Sequence, residues 1–406
     1  MQIQERDCRV CGGHLDSVLD LGELALSAFP LVSDPPPARA PLDLCQCGAC
    51  GLVQLRHTVD PDRLFRTYWY QSGINETMRA ELADVAGQAR EIVGGLSPTD
   101  LVIDIGANDG TLLQTLAPFH ALRVAFEPAL NLNAALAEHA DVIVADYFPR
   151  GLAMCGALPL AKLIFSIACF YDLDDPKAFV QAIKDQLAPD GAWVVQFQDL
   201  HQMIHANSFD NICFEHLVTY SLGSFERLIA PFGLRVVHAE RRAINGGSYR
   251  LIVQHAAIPP DDSVEEIRQF EAGCEHWHTL EKFAWRVGEA KRQIRGTVDA
   301  LRAKGDAVID FYGASTKGNT LAQVVGLGPD RIRQAWERSS AKWGRVTATG
   351  IPIVSEAIGR ANPPDLLVAG IWQFREAVLK REAEYLAQGG QFLFPLPEVD
   401  LVEGGK

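Results

Sequence analysis

The chain has 406 residues, enough for two or three domains, and its 48 % hydrophobic and 22 % charged content is that of a globular protein with ample core material. A formal charge of −14 argues against general nucleic-acid binding, while leaving room for a local basic pocket that takes an anionic small molecule. No apolar run reaches membrane-span length and the first residues, MQIQERDCRVCGG, lack an apolar signal core; the expectation is a cytoplasmic protein with neither membrane nor nucleic-acid partners.

Nine cysteines are present, five of them within the first fifty residues, a clustering that suggests a local metal site rather than a disulfide framework. Cys8-x-x-Cys11 and Cys47-x-x-Cys50 form two knuckles able to set four thiolates tetrahedrally around one Zn²⁺, each followed by a glycine (Gly12, Gly51) that permits the tight turn. Cys45 is a spare, but only Cys47 has the two-residue gap to Cys50. Four protein ligands leave no open coordination position, so the expected role of the zinc is structural. Pro35-Pro-Pro37 reads as a loop and Gly51-Leu-Val-Gln-Leu55 as a short strand. The aromatic patch Tyr68-Trp69-Tyr70 precedes a helical pattern over 80–93; aromatics there serve packing or substrate contact.

Strands and helices alternate from 100 to about 255, with strands predicted at 101–106, 122–127, 141–145, 162–168, 192–198, 233–239 and 248–255, the last two antiparallel. The first strand ends in Asp104-x-Gly106-x-Asn108-x-Gly110 and passes into the helical pattern Thr111-Leu-Leu-Gln-Thr-Leu. A strand, a glycine turn and a helix start allow backbone to approach a cofactor closely. The spacing is not GxGxxG, and acids surround the turn: Glu127 ends the second strand, suited to ribose hydroxyls, and Asp146 follows the third, which by resemblance to S-adenosylmethionine-binding folds is where the adenine amino group is contacted. These residues resemble motif I of the class I S-adenosylmethionine methyltransferases. Tyr171 and Asp172 follow the fourth strand, on the acceptor side. After the fifth come Glu215 and His216, in Phe209-Asp-Asn-Ile-Cys-Phe-Glu-His216, which offer a near-neutral base and a carboxylate to tune it.

Residues 262–304 carry the pattern of two helices, and a second α/β unit follows, with strands near 307–312, 366–371 and 390–395. Its loop Gly313-Ala-Ser-Thr-Lys-Gly-Asn319 places Ser315, Lys317 and Asn319 at a helix N-terminus, a plausible diphosphate cradle that lacks Walker A spacing. Trp343-Gly-Arg345 and Asn245-Gly-Gly-Ser-Tyr-Arg250 are polar loops that could line the same cleft. The expected architecture is α/β: a zinc-binding domain over 1–75, a seven-stranded Rossmann-like methyltransferase domain over 76–256, and a C-terminal Rossmann-like domain over 257–406.

The whole set of motifs, closing with Phe394-Pro-Leu-Pro397, resembles the three-domain sugar C-methyltransferases that act on nucleotide-linked deoxy-ketosugars. The resemblance implies S-adenosylmethionine as methyl donor, zinc as a structural ion, and a 4-keto sugar on a nucleoside diphosphate, commonly dTDP, as substrate. It implies His216 as the base that removes the proton α to the ketone, with Glu215 its neighbour, and an enolate that attacks the methyl group. Tyr70, or less favourably Tyr68, matches an aromatic hydroxyl near the sugar, and the C-terminal domain closes over the nucleotide. Related enzymes often carry tyrosine two positions before the Glu, where this chain has Cys213. The missing hydroxyl would then come from Tyr220 or Tyr171, or a different carbon is methylated; C-3 is favoured over C-5. A sugar O-methyltransferase and a non-catalytic zinc-containing scaffold are the rival readings. Three domains around one cleft can work as a monomer.

Overall fold

The computed structural model describes residues 3–26, 28–274 and 279–405. At its centre lies a seven-stranded sheet of β1 (Leu101–Ile105), β2 (Leu122–Phe126), β3 (Val142–Val144), β4 (Ala161–Ile167), β5 (Leu187–Gln198), β6 (Leu234–Arg242) and β7 (Ser248–His255). Their spatial order is β3-β2-β1-β4-β5-β7-β6, with β7 antiparallel to both β5 and β6 and the other pairings parallel. β1 is buried along its whole length, as a strand covered on both faces by helices must be. The helix Glu76–Ile92 covers one face through Met78, Leu82, Val85, Ala86 and Ala89, which recur at helical spacing, and Asn75 caps it by accepting the Thr77 N–H. Strand order reverses between β1 and β4, so a crevice opens at their carboxyl ends.

The N-terminal sheet contains Leu15–Ala25, Arg39–Cys47 and Val53–Leu55, and its fourth strand, Val218–Thr219, comes from the central domain, with Val218 opposite Gln54 and Thr219 opposite Val53. That strand begins two residues after His216, so the segment carrying the candidate base is stitched into the zinc domain.

The C-terminal sheet runs Ile353–Ser355, Ala335–Glu337, Ile309–Tyr312, Leu366–Ala369, Gln391–Phe394, Asp400–Glu403, with only the last strand antiparallel to its neighbour. In chain order this is 3-2-1-4-5-6, the Rossmann order, so the loop after Tyr312 stands at this sheet's switch point. The three strands beyond those predicted are three or four residues long, too short for periodicity to register. Of the two predicted helices, Leu280–Arg302 packs on this domain and on Leu15–Ala25, whereas Asp262–Cys274 packs on β6 and on the helix Leu222–Ile229. Arg268 pairs with Glu226 at 2.6 Å, and Glu271 accepts the N–H groups of Leu222 and Gly223 at 2.6 and 3.1 Å. Asp262–Cys274 therefore belongs spatially with the central domain, beyond the expected boundary at 256. No helix among the described residues is long and apolar enough to cross a membrane.

Candidate active site and zinc centre

The Sγ atoms of Cys8, Cys11, Cys47 and Cys50 lie within 4.8 Å of one another. Gly12 and Gly51 take φ values of 72° and 74°, the left-handed backbone that the knuckle turns require, and the Cys11 N–H points at the Cys8 sulfur from 3.5 Å. Cys45 is set apart: its thiol donates to Asp43 Oδ2 at 3.3 Å, and burial together with that carboxylate pushes it up to about 12. The four remaining thiolates fit a closed, tetrahedral zinc site. Inside the first knuckle, Arg9 is only 7 % exposed. It donates to the Leu55 carbonyl at 2.6 Å, to Thr58 Oγ1 at 2.7 Å and to Asp174 Oδ1 at 3.4 Å, while its own N–H is accepted by Gln54 at 2.9 Å. The knuckle thus grips its own sheet and the loop that follows β4.

Past β1, Gly106 (φ 71°), Asn108 (54°) and Gly110 (80°) form the left-handed turn into the helix Thr111–Leu116. A Cβ at Gly106 would stand 3.0 Å from that of Cys169, which closes the turn from the β4 side. Glu127 accepts the N–H groups of Asn108 and Ala129, each at 2.7 Å, and its oxygens keep further lone pairs for ligand hydroxyls. Asp104 is buried with no hydrogen-bond donor among the described residues, and burial with the nearby Glu127 pushes its carboxyl up to about 8. A buried carboxyl without a partner is a site for a ligand donor, and the turn fits S-adenosylmethionine on that ground. The Asn108 and Asp109 side chains act outward instead, accepting the Ser72 and Gly73 N–H groups at 3.0 and 2.8 Å and so clipping the segment ahead of the helix onto the turn. Asp146 is clasped by Arg150 and Arg66, which hold its carboxyl down at about 2, so an adenine contact there would have to share it.

The acceptor side is built around His216. Its Nδ1 donates to the Asn211 carbonyl at 2.8 Å, which leaves Nε2 as the free acceptor. Burial and the neighbouring Lys317 lower the imidazolium to about 4, so the ring is neutral near pH 7. Tyr171 packs edge-on against it with ring centroids 4.5 Å apart. Burial pushes the Glu215 carboxyl up to about 7, and burial followed by Glu215 raises Asp172. Glu215 Oε2, Asp172 Oδ1, Asp210 Oδ1 and both ends of the Asn211 amide are buried without a protein partner. Tyr68, Tyr171, Asp172, His216 and Lys317 retain partial exposure, so each keeps some surface outside the core.

The tyrosines separate clearly. Burial, then Asp172, Glu215 and Cys213 around it, raise the Tyr68 hydroxyl, which lies at this cluster. Tyr70 is 42 % exposed and faces Asp109. Trp69 packs on Phe29 at 5.8 Å and carries the Arg345 guanidinium over its ring at 4.8 Å, a joint between domains. Tyr220 is fully buried against Phe170 and Phe197, with Arg9 and Cys8 as its charged neighbours; the structure does not bring it to the cleft. The hydroxyls beside Cys213 are those of Tyr171 and Tyr68.

The loop at 313–319 differs from an open cradle. Ser315 Oγ accepts the Gly318 N–H at 2.9 Å as the helix cap. Asn319 accepts the Ala348 N–H at 3.0 Å, and Arg345 donates to the Phe29 carbonyl at 3.0 Å. These three side chains are committed to a cap and to joints within and between domains. Lys317 alone turns toward the cleft, where Nζ donates to the Asn245 carbonyl at 3.0 Å with Asp210 and Cys213 nearby. Asp210 in turn accepts Trp372 Nε1 at 2.8 Å.

A seven-stranded sheet in this order, with a glycine turn after β1 and an acid after β2, defines a class I S-adenosylmethionine methyltransferase. Residues 8–65 match the family model of a zinc binding domain, 70–239 that of a methyltransferase domain, and 243–397 that of a C-methyltransferase C-terminal domain. The chain is 31 % identical over 405 residues to the C-methyltransferase NovU of Streptomyces niveus, an alignment spanning 97 % of this chain and 96 % of that one. It therefore belongs to this family of zinc-containing, S-adenosylmethionine-dependent C-methyltransferases. Similar solved structures include the cyclopropane synthase MmaA2 from Mycobacterium tuberculosis (14 % identity, TM-score 0.36, 47 % of this chain and 92 % of that one). Another is an S-adenosylmethionine-dependent methyltransferase from Clostridium acetobutylicum (10 % identity, TM-score 0.34, 44 % and 92 %).

Several neighbours of the site have little sequence signal. Asn211 acts through its backbone carbonyl, and Arg9 is an unremarked residue inside a knuckle. Trp372 had a usable one, since it lies just past the carboxyl end of a parallel strand.

Proposed function

We propose that the protein methylates a carbon α to the ketone of a 4-keto-deoxysugar linked to a nucleoside diphosphate, dTDP in the first instance, at C-3 in preference to C-5. The setting is deoxysugar, antibiotic or surface-polysaccharide biosynthesis in the cytoplasm. The observation that carries this reading is the neutral His216, with Nε2 left as the free acceptor, among Asp172, Asp210, Asn211 and Glu215 atoms that are buried without partners. Unpaired donors and acceptors in that number suit a polyhydroxylated ligand, whose hydroxyls would satisfy them.

In this reading His216 Nε2 takes the α-proton as the C–H bond breaks, and the carbonyl electron pair moves onto oxygen to give an enolate. The imidazolium so formed is disfavoured by burial, and an ionised Glu215 offsets that cost. Tyr171 orients the imidazole through ring contact, and Tyr68 brings a hydroxyl to the same cleft. Asp104, Gly106, Gly110 and Glu127 would hold S-adenosylmethionine at the crevice between β1 and β4. When bound, it supplies the electrophilic methyl group, whose bond to sulfur breaks as the C–C bond forms. The chain's part in that event is alignment.

The test is incubation of the purified protein with a dTDP-linked 4-keto-6-deoxysugar in D₂O without S-adenosylmethionine. Deuterium entering the position α to the ketone, and a C-methyl product once the donor is added, are expected. Absence of both with 4-keto sugars on either a pyrimidine or a purine nucleotide overturns the reading.

A further inference from the structure

The C-terminal domain sends one cation toward the candidate reaction centre. Lys317 lies in the first turn of the helix Thr316–Val325, at the switch point of that domain's sheet, and crosses to the central domain's Asn245 carbonyl. One N–H is used there at 3.0 Å, so up to two remain. No carboxylate among the described residues lies within the 4.0 Å of an ion pair, although Asp210 and Cys213 are near enough to act on the ammonium. A lysine placed this way, flanked by His216 and by orphaned polar atoms of Asp210 and Asn211, is incomplete without an anionic oxygen from a ligand. Of the neighbours that would complete a diphosphate cradle, Ser315 accepts the Gly318 N–H as helix cap and Asn319 accepts the Ala348 N–H.

Resting on the keto-sugar reading above, we propose that Lys317 is a catalytic residue that hydrogen-bonds the substrate's carbonyl oxygen and stabilises the enolate, rather than a ligand of the diphosphate. The proton goes from carbon to His216 Nε2, the carbonyl electron pair goes to oxygen, and Lys317 meets the charge that develops there. The base and the electrophile then come from different domains, joined through Lys317–Asn245 and Trp372–Asp210. This division answers a difficulty of the site: a buried, neutral imidazole is too weak a base unless the oxyanion is stabilised at the same time.

The experiment compares wild type with K317M and K317Q, each first shown to bind zinc and S-adenosylmethionine as wild type does. Two quantities are read: the rate of solvent deuterium entry at the α-carbon at saturating dTDP-4-keto sugar, and the affinity for dTDP alone. Loss of one oxyanion donor is worth roughly 10²–10³-fold in rate. The expected result is exchange slowed by about 100-fold or more in K317M, less in K317Q, which keeps an N–H donor, with dTDP affinity within about threefold of wild type. Exchange within about tenfold of wild type in both variants overturns the proposal, and so does a fall in dTDP affinity with the saturated exchange rate preserved. If wild type itself exchanges no deuterium into the keto sugar, the substrate reading fails, and the proposal with it. Should K317M fail to fold, K317Q carries the same criterion.

Discussion

The Glu215 carboxyl offers the sharpest test of the site. Burial pushes it from an ordinary 4.5 up to about 7, a penalty on the charged form of about 3 kcal/mol. If an ionised Glu215 offsets the charge that His216 acquires, kcat/KM should rise about tenfold per pH unit up to about 7 and level off above it, so that pH 5 lies roughly 100-fold below the plateau. In E215Q that limb should vanish, leaving a profile without an inflection near pH 7 at a lower plateau, because His216 titrates only near 4. Stability supplies an independent readout with its own sign. The folded-state value is raised, so the unfolded chain ionises first; the contribution of Glu215 to stability should fall between about pH 4.5 and 7 and then hold level. The difference between wild type and E215Q should move by up to about 3 kcal/mol across that window, while Asp104, also raised by burial, is common to both proteins and cancels. Chemical denaturation at several pH values and steady-state kinetics measure the two quantities. An acid limb of unchanged position in E215Q refutes the reasoning.

Replacing His216 with Asn should lower turnover about 10²–10⁴-fold while S-adenosylmethionine affinity by calorimetry stays within about twofold; substantial retained turnover removes His216 as the base. Metal analysis should find one zinc per chain in wild type and in C45S but none held tightly by C47S, since Cys45 is tied to Asp43; zinc loss in C45S would reverse the ligand choice. Exchanging Arg9 for Met strips the Leu55 carbonyl of its guanidinium and removes the bridge to Asp174, at a cost of about 2 kcal/mol visible as a lower Tm. Turnover should fall only modestly at temperatures where the variant is folded, because Arg6 and Thr58 still tie Asp174, just past the Tyr171–Asp172 turn, to the zinc domain; an abolished kcat in the folded variant would make Arg9 the effective tether.

Much of the molecule was legible in the residue order because its signals are local. Cys-x-x-Cys spacing, a buried strand running into a glycine turn, and alternation of strand and helix are all settled within ten or twenty residues, where backbone geometry and burial act directly. Those signals reach the zinc ligands, the cofactor turn and six of the seven central strands within a few residues of their observed limits; the fifth, Leu187–Gln198, begins earlier than the pattern from 192 suggests, across a bulge. Which hydroxyls and cations share a cleft is a different kind of fact. Tyr68 and Tyr70 are two residues apart and face different ends of the site; Tyr220, four residues from His216, belongs to the core. Lys317 meets His216 across about a hundred residues of chain. Side-chain direction at the end of a strand or in a loop is decided by which domain packs against it, and no periodicity encodes that. The sequence by itself determined the folds, the metal and the methyl donor; only the tertiary structure decided which groups stand around the acceptor, because three domains converge there and each supplies side chains that the others leave unpaired.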